Sequence, residues 1–197
     1  QVIGKVMRAL YIGRFQPYHL GHQAVIEKIA NEVEEIVIVI GSAQDSHTTE
    51  NPFTGGERME MIYASLRECS LSERCVVTPL QDVQWNSIWV SHLQSMVPRF
   101  DLVYSNNPLV VQLISEAGIA VRKPPMYQRD RYSGTAIRRL MREGGDWERD
   151  RYSGTAIRRL MREGGDWERL VPQAVAHIIR EMGGVERLIS VSKSDMP

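Results

Sequence analysis

Two histidines, His19 and His22, lie three residues apart in the segment GRFQPYHLGH, which covers residues 13–22. The segment follows a short apolar run and precedes a helical pattern, so it predicts a strand, a tight turn and a helix start. Residues three apart on a helix face the same side, and a helix N-terminus offers free N–H groups and a positive dipole end. The spacing therefore predicts an anion cradle, with a zinc site as the competing interpretation.

Other residues of this turn favour the anion. Gly13 permits a tight turn after the strand, Arg14 adds a permanent charge with a fork of N–H donors, and Gly21 lets a ligand approach the backbone. No third Cys, His or carboxylate lies nearby at ligand spacing, which argues against zinc. A histidine that merely packs in the core is the remaining alternative.

A second motif that could bind phosphate occurs twice, because residues 130–149 recur without a change at 150–169. Each copy contains SGTAIR, in which the serine caps a helix and can offer donors to phosphate. The arginine one turn on, Arg138 or Arg158, can reach a terminal phosphate; plain capping with a solvated basic face is the alternative. Only one copy can occupy a given site. We expect the first copy to act, because a short connection joins it to the preceding strand, and the second to be looped out or to alter oligomer contacts.

Strand and helix patterns alternate along the chain, which predicts an α/β fold with a mostly parallel, Rossmann-like sheet, helices on both faces and a small C-terminal helical part. Ligands of such sheets lie at the carboxyl ends of the strands, which is where the turn falls. The strands are predicted at 8–12, 35–40, 75–80, 101–104 and 119–122. The helices are predicted at 20–33, 54–68, 86–96, 108–116, 135–143 or 155–163, 172–182 and 185–190.

The length of 197 residues predicts a single domain over 1–197. Residues 1–6 are expected to be a cloning remnant before a natural start at Met7, and 192–197 a frayed tail. A formal net charge of +0 gives no bulk attraction to nucleic acid or a membrane surface, and no apolar run is long enough to span a membrane. With no signal peptide evident, we expect a cytoplasmic enzyme.

The two motifs together resemble the nucleotidylyltransferase superfamily, in which the second motif usually reads ISTxxR rather than YSGTAIR. The whole set is similar to the archaeal nicotinamide-nucleotide adenylyltransferase family, and the similarity covers nearly the whole chain. The segments that carry it are GRFQPYHLGH at 13–22, GSAQ at 41–44, NPFTGGER at 51–58, YSNNPLV at 104–110 and the YSGTAIR copies. The resemblance implies transfer of the adenylyl group of ATP to nicotinamide mononucleotide (NMN), giving NAD and pyrophosphate, with Mg²⁺ held mainly by the ATP phosphates.

The resemblance also implies a role for each candidate residue at the triphosphate. The catalytic candidates are His19, His22, Arg14 and Arg138. The ATP-binding candidates are Gly13, Phe15, Gly21, Ser133, Thr135 and Arg138, or the copies Ser153, Thr155 and Arg158. No residue of the chain is expected to bind metal directly.

The acceptor pocket implied by the resemblance is built from Gly41, Ser42, Asp82, Asn86, Trp89 and Arg58. Trp89 is expected to stack on the nicotinamide, with core packing as the alternative, and the role of Trp85 stays open. For Arg58 the alternative is an exposed basic side chain.

Two rival functions remain open from the sequence. The chain could be another nucleotidylyltransferase, using phosphopantetheine or CTP, or a nucleotide-binding regulator without turnover. The resemblance further implies a homo-oligomer, a hexamer in that family, whose contacts the 20-residue repeat could disturb.

Overall fold

The computed structural model describes residues 6–124 and 153–194. Within these ranges five strands form one sheet in the order β3-β2-β1-β4-β5, and every neighbouring pair is parallel. The strands are β1 (Arg8–Gly13), β2 (Glu35–Ile40), β3 (Cys75–Pro79), β4 (Leu102–Tyr104) and β5 (Ala120–Arg122). The predicted parallel, Rossmann-like sheet is confirmed.

Seven α-helices surround the sheet in the described residues. They are α1 (Leu20–Ala30), α2 (Gly55–Glu68), α3 (Trp89–Met96), α4 (Pro108–Glu116), α5 (Gly154–Glu163), α6 (Gln173–Glu181) and α7 (Gly184–Ser194). None of these helices is long and apolar enough to cross a membrane.

The sheet is buried on both faces, which explains why β2 reads as the continuous apolar run EIVIVI. Ile36, Ile38 and Ile40 pack on one face with residues of α1, α2 and the C-terminal helices. Val37 and Val39 pack on the other face with residues of α3 and α4. Helices therefore cover both faces, as predicted.

The C-terminal part differs from the sequence expectation. Helix α7 extends through Ser194, so the prediction of a frayed tail from Ser192 is wrong for residues 192–194. The Ser192 hydroxyl donates to the Leu188 carbonyl at 2.7 Å and accepts from the Thr49 hydroxyl at 3.3 Å, which ties the last turn to the body. The expectations for residues 1–5, 195–197 and the first repeat copy, with Ser133, Thr135 and Arg138, lie outside the described residues.

The chain order creates a crevice at the carboxyl ends of the central strands. From β1 the chain proceeds outward through β2 to β3, and it then returns to place β4 on the other side of β1. Connections that leave β1 and β4 in opposite directions open a cleft above their carboxyl ends, where ligands of such sheets bind. The turn at 13–22 begins at this point.

Candidate active site

The two histidines of the turn cap helix α1 reciprocally. Nδ1 of His19 accepts a hydrogen bond from the backbone N–H of His22 at 3.4 Å, and Nδ1 of His22 accepts one from the backbone N–H of His19 at 3.2 Å. Because a backbone N–H can only donate, each neutral ring carries its proton on Nε2. The rings stack with their centroids 3.6 Å apart. The turn thus presents two imidazole N–H donors at a helix N-terminus.

Burial keeps these imidazoles neutral. His19 is 6% exposed, and burial lowers its pKa to about 3. Burial also lowers the pKa of His22 well below its ordinary value, and the neighbouring His19 lowers it further. Protonation of either Nδ1 would in addition remove an acceptor from the cap. At neutral pH the pair therefore donates hydrogen bonds without carrying charge.

The buried ring of Phe15 packs against the histidine turn. Its ring is 1% exposed and lies edge-on against the His22 ring, with centroids 4.7 Å apart. Its φ is +52°, and a Cβ on Gly13 would lie 3.0 Å from Cζ of the Phe15 ring, so a side chain at position 13 would crowd the ring. Phe15 was among the predicted ATP-binding residues; because its ring is in the core, a side-chain contact with ATP is excluded and a backbone contact stays a prediction.

The second repeat copy supplies the helix that lies against this turn. Nη1 of Arg158 donates to the Gln16 carbonyl at 2.7 Å, and Nη2 donates to the Thr155 hydroxyl at 3.3 Å. Ile157 and Met161 on the same helix are buried in the core. The expectation that this copy is looped out is wrong, because its apolar face packs and its basic face reaches the turn.

The start of α5 approaches the turn closely. The Ser153 hydroxyl accepts from the backbone N–H of Ala156 at 3.1 Å, which caps the helix. A Cβ on Gly154 would lie 2.9 Å from the Gln16 carbonyl oxygen and 2.9 Å from Nη1 of Arg158. The glycine that separates serine from threonine in this motif therefore permits the contact between the helix and the turn.

Two arginines lie close together in this part of the crevice. Arg14 is exposed at the turn and Arg158 is half-buried beside it. Burial lowers the pKa of Arg158, and the nearby Arg14 lowers it further. Within residues 6–124 and 153–194 no group of three or more His, Cys, Asp or Glu side chains could hold a metal ion. Donors and guanidinium groups in this arrangement fit a polyphosphate.

Arg58 does not lie at a ligand surface. Its side chain is fully buried, and burial is the main cause that lowers its pKa to about 10. Among the residues that the structure describes, its guanidinium donates to six backbone carbonyls, those of Thr54, Arg14, Gly41, Ser42, Ala43 and Asp45. Both the predicted substrate contact and the exposed alternative are therefore wrong, because the surrounding carbonyls use all its donor directions.

The loops after β2 and β3 carry the residues predicted for the acceptor pocket. The backbone N–H of Gly41 donates to the Gly13 carbonyl at 2.9 Å, which joins the first of these loops to the turn. Nε2 of Gln44 donates to Oδ2 of Asp82 at 3.0 Å, and the backbone N–H of Asp82 donates to Oε1 of Gln44 at 3.1 Å. Asp82 was predicted from the sequence as a site residue and Gln44 was not. The position of Gln44 in GSAQ, directly after a buried strand, could have indicated it. Ser42 is half-buried with φ +46°.

The aromatic residues of the acceptor side differ in exposure. Trp89 begins α3 and packs, half-buried, against the core on that face of the sheet; its expected stacking on the nicotinamide stays a prediction. Trp85 is 63% exposed, and Asn86 is exposed beside it in a 3₁₀ turn. Asp82, Asn86 and Trp89 thus share one segment after β3.

Gln16 is a site residue that sequence reasoning missed. Its side chain is buried, donates from Nε2 to the Phe53 carbonyl at 2.9 Å, and accepts from the Phe53 backbone N–H at 2.9 Å. The sequence indicated this role only through the position of Gln16, a polar residue between the apolar Phe15 and Pro17. This pair of bonds fixes the turn on the segment that precedes α2.

Known proteins give a consistent comparison. A family profile described as cytidylyltransferase-like matches residues 10–140. The nicotinamide-nucleotide adenylyltransferase of Methanothrix thermoacetophila is 54% identical over 95% of this chain and 98% of its own length. That of Methanosarcina mazei is 53% identical over 95% of this chain and 96% of its own length. The chain belongs to the nicotinamide-nucleotide adenylyltransferase family. The resemblance predicted from the motifs is confirmed.

A solved structure agrees with this family fold at low identity. The bifunctional NMN adenylyltransferase/ADP ribose pyrophosphatase of Francisella tularensis, complexed with AMP and a manganese ion, superposes with a TM-score of 0.67 at 16% identity. The match covers 96% of this chain and 53% of that one. At this identity the likeness supports the nucleotidyltransferase fold alone.

Proposed function

We propose that the chain transfers the adenylyl group of ATP to NMN, forming NAD and releasing pyrophosphate. Membership of the adenylyltransferase family supports the reaction. The observation that carries the site is the contact between Arg158 and the Gln16 carbonyl, because it brings the SGTAIR helix start onto the histidine turn. Each motif alone is a generic anion site, whereas the two together can hold a triphosphate along its length.

The donor side binds the triphosphate through groups with different charge. The Nε2–H groups of His19 and His22 donate to oxygens of the α-phosphate. Arg14 and Arg158 bind the β- and γ-phosphates, together with the free N–H groups and the hydroxyls of Ser153 and Thr155 at the start of α5. An anionic nucleophile must approach the α-phosphorus. Neutral N–H donors suit this centre because they stabilise the negative charge that develops in the transition state without forming an ion pair with the bound substrate.

The proposed reaction is a single in-line displacement. An oxygen of the NMN 5′-phosphate forms a bond to the α-phosphorus, and the bond from that phosphorus to the bridging oxygen of the β-phosphate breaks, so the electron pair leaves on pyrophosphate. A phosphate monoester is already ionised at neutral pH, so no general base is required. The protein therefore acts by positioning and by charge stabilisation.

The metal of the proposed reaction enters as part of the substrate, MgATP. The described residues around the turn supply donors and cations, whereas carboxylates are what a Mg²⁺ cage would need. The chain therefore fits a divalent ion held mainly by the ATP phosphates and water. When bound there, Mg²⁺ neutralises charge on the phosphates and orients them.

The acceptor is proposed to bind beside the loops after β2 and β3. The Gly41 backbone is hydrogen-bonded to the turn, and we propose that Gly41 and Ser42 bind the NMN phosphate. Asn86 and Trp89 contact the nicotinamide end, and Trp85 is the more accessible of the two tryptophans for stacking. Replacing each tryptophan with alanine in turn distinguishes them, because the one that stacks raises KM for NMN more than KM for ATP.

The oligomeric state and the cellular location are also proposals, which rest on the family resemblance and on the sequence. We propose a homo-oligomer, a hexamer by resemblance, and a cytoplasmic location. Light scattering of the purified protein tests the first, and cell fractionation tests the second. A monomer that makes NAD at a normal rate would overturn the oligomer proposal without affecting the reaction.

Product analysis tests the reaction. Incubation with ATP, Mg²⁺ and NMN should yield equal amounts of NAD and pyrophosphate, whereas CTP in place of ATP, or phosphopantetheine in place of NMN, should yield little product. Tight ATP binding with no NAD would support a regulator without turnover. Product formed only with phosphopantetheine or CTP would assign another nucleotidylyltransferase.

A further inference from the structure

Arg58 joins the two halves of the proposed active site. Its Nη1 donates to the carbonyl of Arg14 in the histidine turn at 2.8 Å and to the carbonyl of Gly41 after β2 at 3.1 Å. Its Nη2 donates to the carbonyls of Ser42 at 3.1 Å, Ala43 at 3.3 Å and Asp45 at 3.3 Å. One guanidinium therefore holds the donor loop and the acceptor loop at the same time.

The same side chain is anchored to the rigid start of α2. Its Nε donates to the Thr54 carbonyl at 3.2 Å, and Thr54 caps that helix through a box with Glu57. Glu57 in turn pairs with Arg187 at 2.7 Å. Arg58 therefore connects the two loops to the start of α2, which the Thr54–Glu57 capping box and the Glu57–Arg187 ion pair hold in place.

We infer that Arg58 is a positioning residue that sets the separation between the ATP turn and the acceptor loop, and so controls the rate of adenylyl transfer without touching either substrate. The inference rests on the proposed function, which places ATP at the turn and the NMN phosphate at Gly41 and Ser42. Its physical basis is that in-line displacement depends steeply on the placement of the reacting atoms, and an error of about 1 Å costs on the order of 10²-fold.

Lysine cannot reproduce this arrangement. Arginine offers five N–H donors in a planar fork, while lysine offers three from a single atom. Arg58→Lys keeps the positive charge but leaves several of the carbonyls without their hydrogen-bond donor. The histidine turn and the acceptor loop should then no longer be held by the same side chain. The variant therefore separates the effect of geometry from the effect of charge.

Arg74 provides a matched control at the other end of the sheet. It is also a half-buried arginine whose guanidinium bonds go to backbone carbonyls, those of Ala30, Val33 and Glu34, at 2.6 to 2.9 Å. These carbonyls precede β2 and lie away from the turn. Arg74→Lys should lower stability for the same reason as Arg58→Lys, and it should leave catalysis unchanged.

Steady-state kinetics well below the melting temperature test the inference. Arg58→Lys should lower kcat on the order of 10²-fold, while the Kd for ATP and the Kd for NMN, each measured alone, change by no more than about threefold. Arg74→Lys should keep the wild-type kcat. A merely structural Arg58 would give a lower Tm with wild-type kcat, and a substrate-contacting one would raise one Kd strongly; either result overturns the inference.

A second variant covers the case in which Arg58→Lys does not fold. A Cβ on Gly55 would lie 3.0 Å from the Ala43 carbonyl oxygen, so we expect Gly55→Ala to push this part of the acceptor loop away from α2 without removing the Arg58 guanidinium. It should lower kcat several-fold with near wild-type Kd values, and an unchanged kcat would contradict the inference. If the wild-type protein makes no NAD, the proposed function fails; if it does and both variants keep full kcat, only the positioning role fails.

Discussion

Nη1 of Arg158 lies 2.7 Å from the carbonyl oxygen of Gln16, although the two residues are 142 positions apart in the chain. The contact is the point at which the late phosphate motif meets the early histidine turn. Gln16 is in turn held by two side-chain hydrogen bonds to the backbone of Phe53. The proposed phosphate clamp therefore has three parts: the turn, the backbone of Phe53 that holds Gln16, and Arg158.

Removing the Arg158 guanidinium should open this clamp. Arg158→Ala is expected to raise KM for ATP and lower kcat, with kcat/KM falling on the order of 10² to 10³-fold, because a charge-assisted contact to the leaving pyrophosphate is lost. Arg159→Ala is the matched control, since Arg159 lies next along the same helix and pairs with Glu163 at the exposed surface. Loss of activity in Arg138→Ala together with full activity in Arg158→Ala would instead assign the clamp to the first repeat copy.

The close approach of α5 to the turn predicts a steric effect at Gly154. Gly154→Ala should push the helix start away from the Gln16 carbonyl and lower kcat/KM for ATP by about tenfold or more, since the clamp depends on that approach. Gly56→Ala is the control: Gly56 also lies in the first turn of a helix, but its added Cβ would meet nothing closer than 4.0 Å. Equal activity of the two variants would show that the close contact has no catalytic role.

The reciprocal cap allows the catalytic and structural roles of His19 to be separated. Asparagine is among the best N-cap residues, so His19→Asn should keep the helix cap and change the free energy of unfolding by no more than about 1 kcal/mol. It removes the Nε2–H donor, so kcat should fall on the order of 10² to 10³-fold. His177→Asn, on the exposed surface of α6, should change neither quantity, and a His19→Asn enzyme with near wild-type kcat would exclude this donor from the reaction.

The low pKa values of the two histidines predict acid sensitivity. In the unfolded chain histidine titrates near 6.5, whereas burial lowers the pKa of His19 to about 3 in the folded protein. Between these values the unfolded chain binds more protons, so the free energy of unfolding decreases as the pH falls below 6.5. Each histidine contributes a slope of up to about 1.4 kcal/mol per pH unit.

Denaturant titrations from pH 7 to pH 4 check this dependence without substrate. His19→Asn should reduce the slope by about one proton's contribution and should leave stability above pH 6.5 nearly unchanged. Equal slopes for wild type and variant would mean that the folded protein already holds His19 protonated, contrary to the capping geometry.

The identical repeat gives a test that needs no choice between copies. Deletion of residues 130–149 and deletion of residues 150–169 produce the same sequence, because the two copies are identical. The single-copy chain should retain NAD formation within about threefold of the full chain, since one helix start fills the clamp. Loss of activity in a folded single-copy chain would show that the extra unit contributes to the site.

The sequence predicted the sheet, its helices and the helix starts of the two motifs because these depend on local signals. The apolar run EIVIVI and the Thr54–Glu57 capping box appear where the patterns placed them. It did not predict the burial of Arg58 or the support given by Phe15, because both depend on which loops meet after folding. An arginine that follows a capping box looks the same in sequence whether it faces solvent or six carbonyls.

The repeat shows a further limit of local reasoning. Two identical 20-residue units have identical propensities, so only packing can decide which one lies against the turn. The length of the connecting segment favoured the first copy, whereas the structure places the second copy there through Ile157 and Met161. The half-buried state of Trp89 likewise follows from the core on that face of the sheet.

The central claim is tested most directly by following the α-phosphate of ATP. The protein is incubated with MgATP carrying ³²P at the α-position and with NMN, and the labelled products are separated by chromatography. We predict that the label moves into NAD in an amount equal to the unlabelled pyrophosphate released. Label found in ADP or AMP, or retained in ATP that the protein binds tightly, would contradict adenylyl transfer at this site.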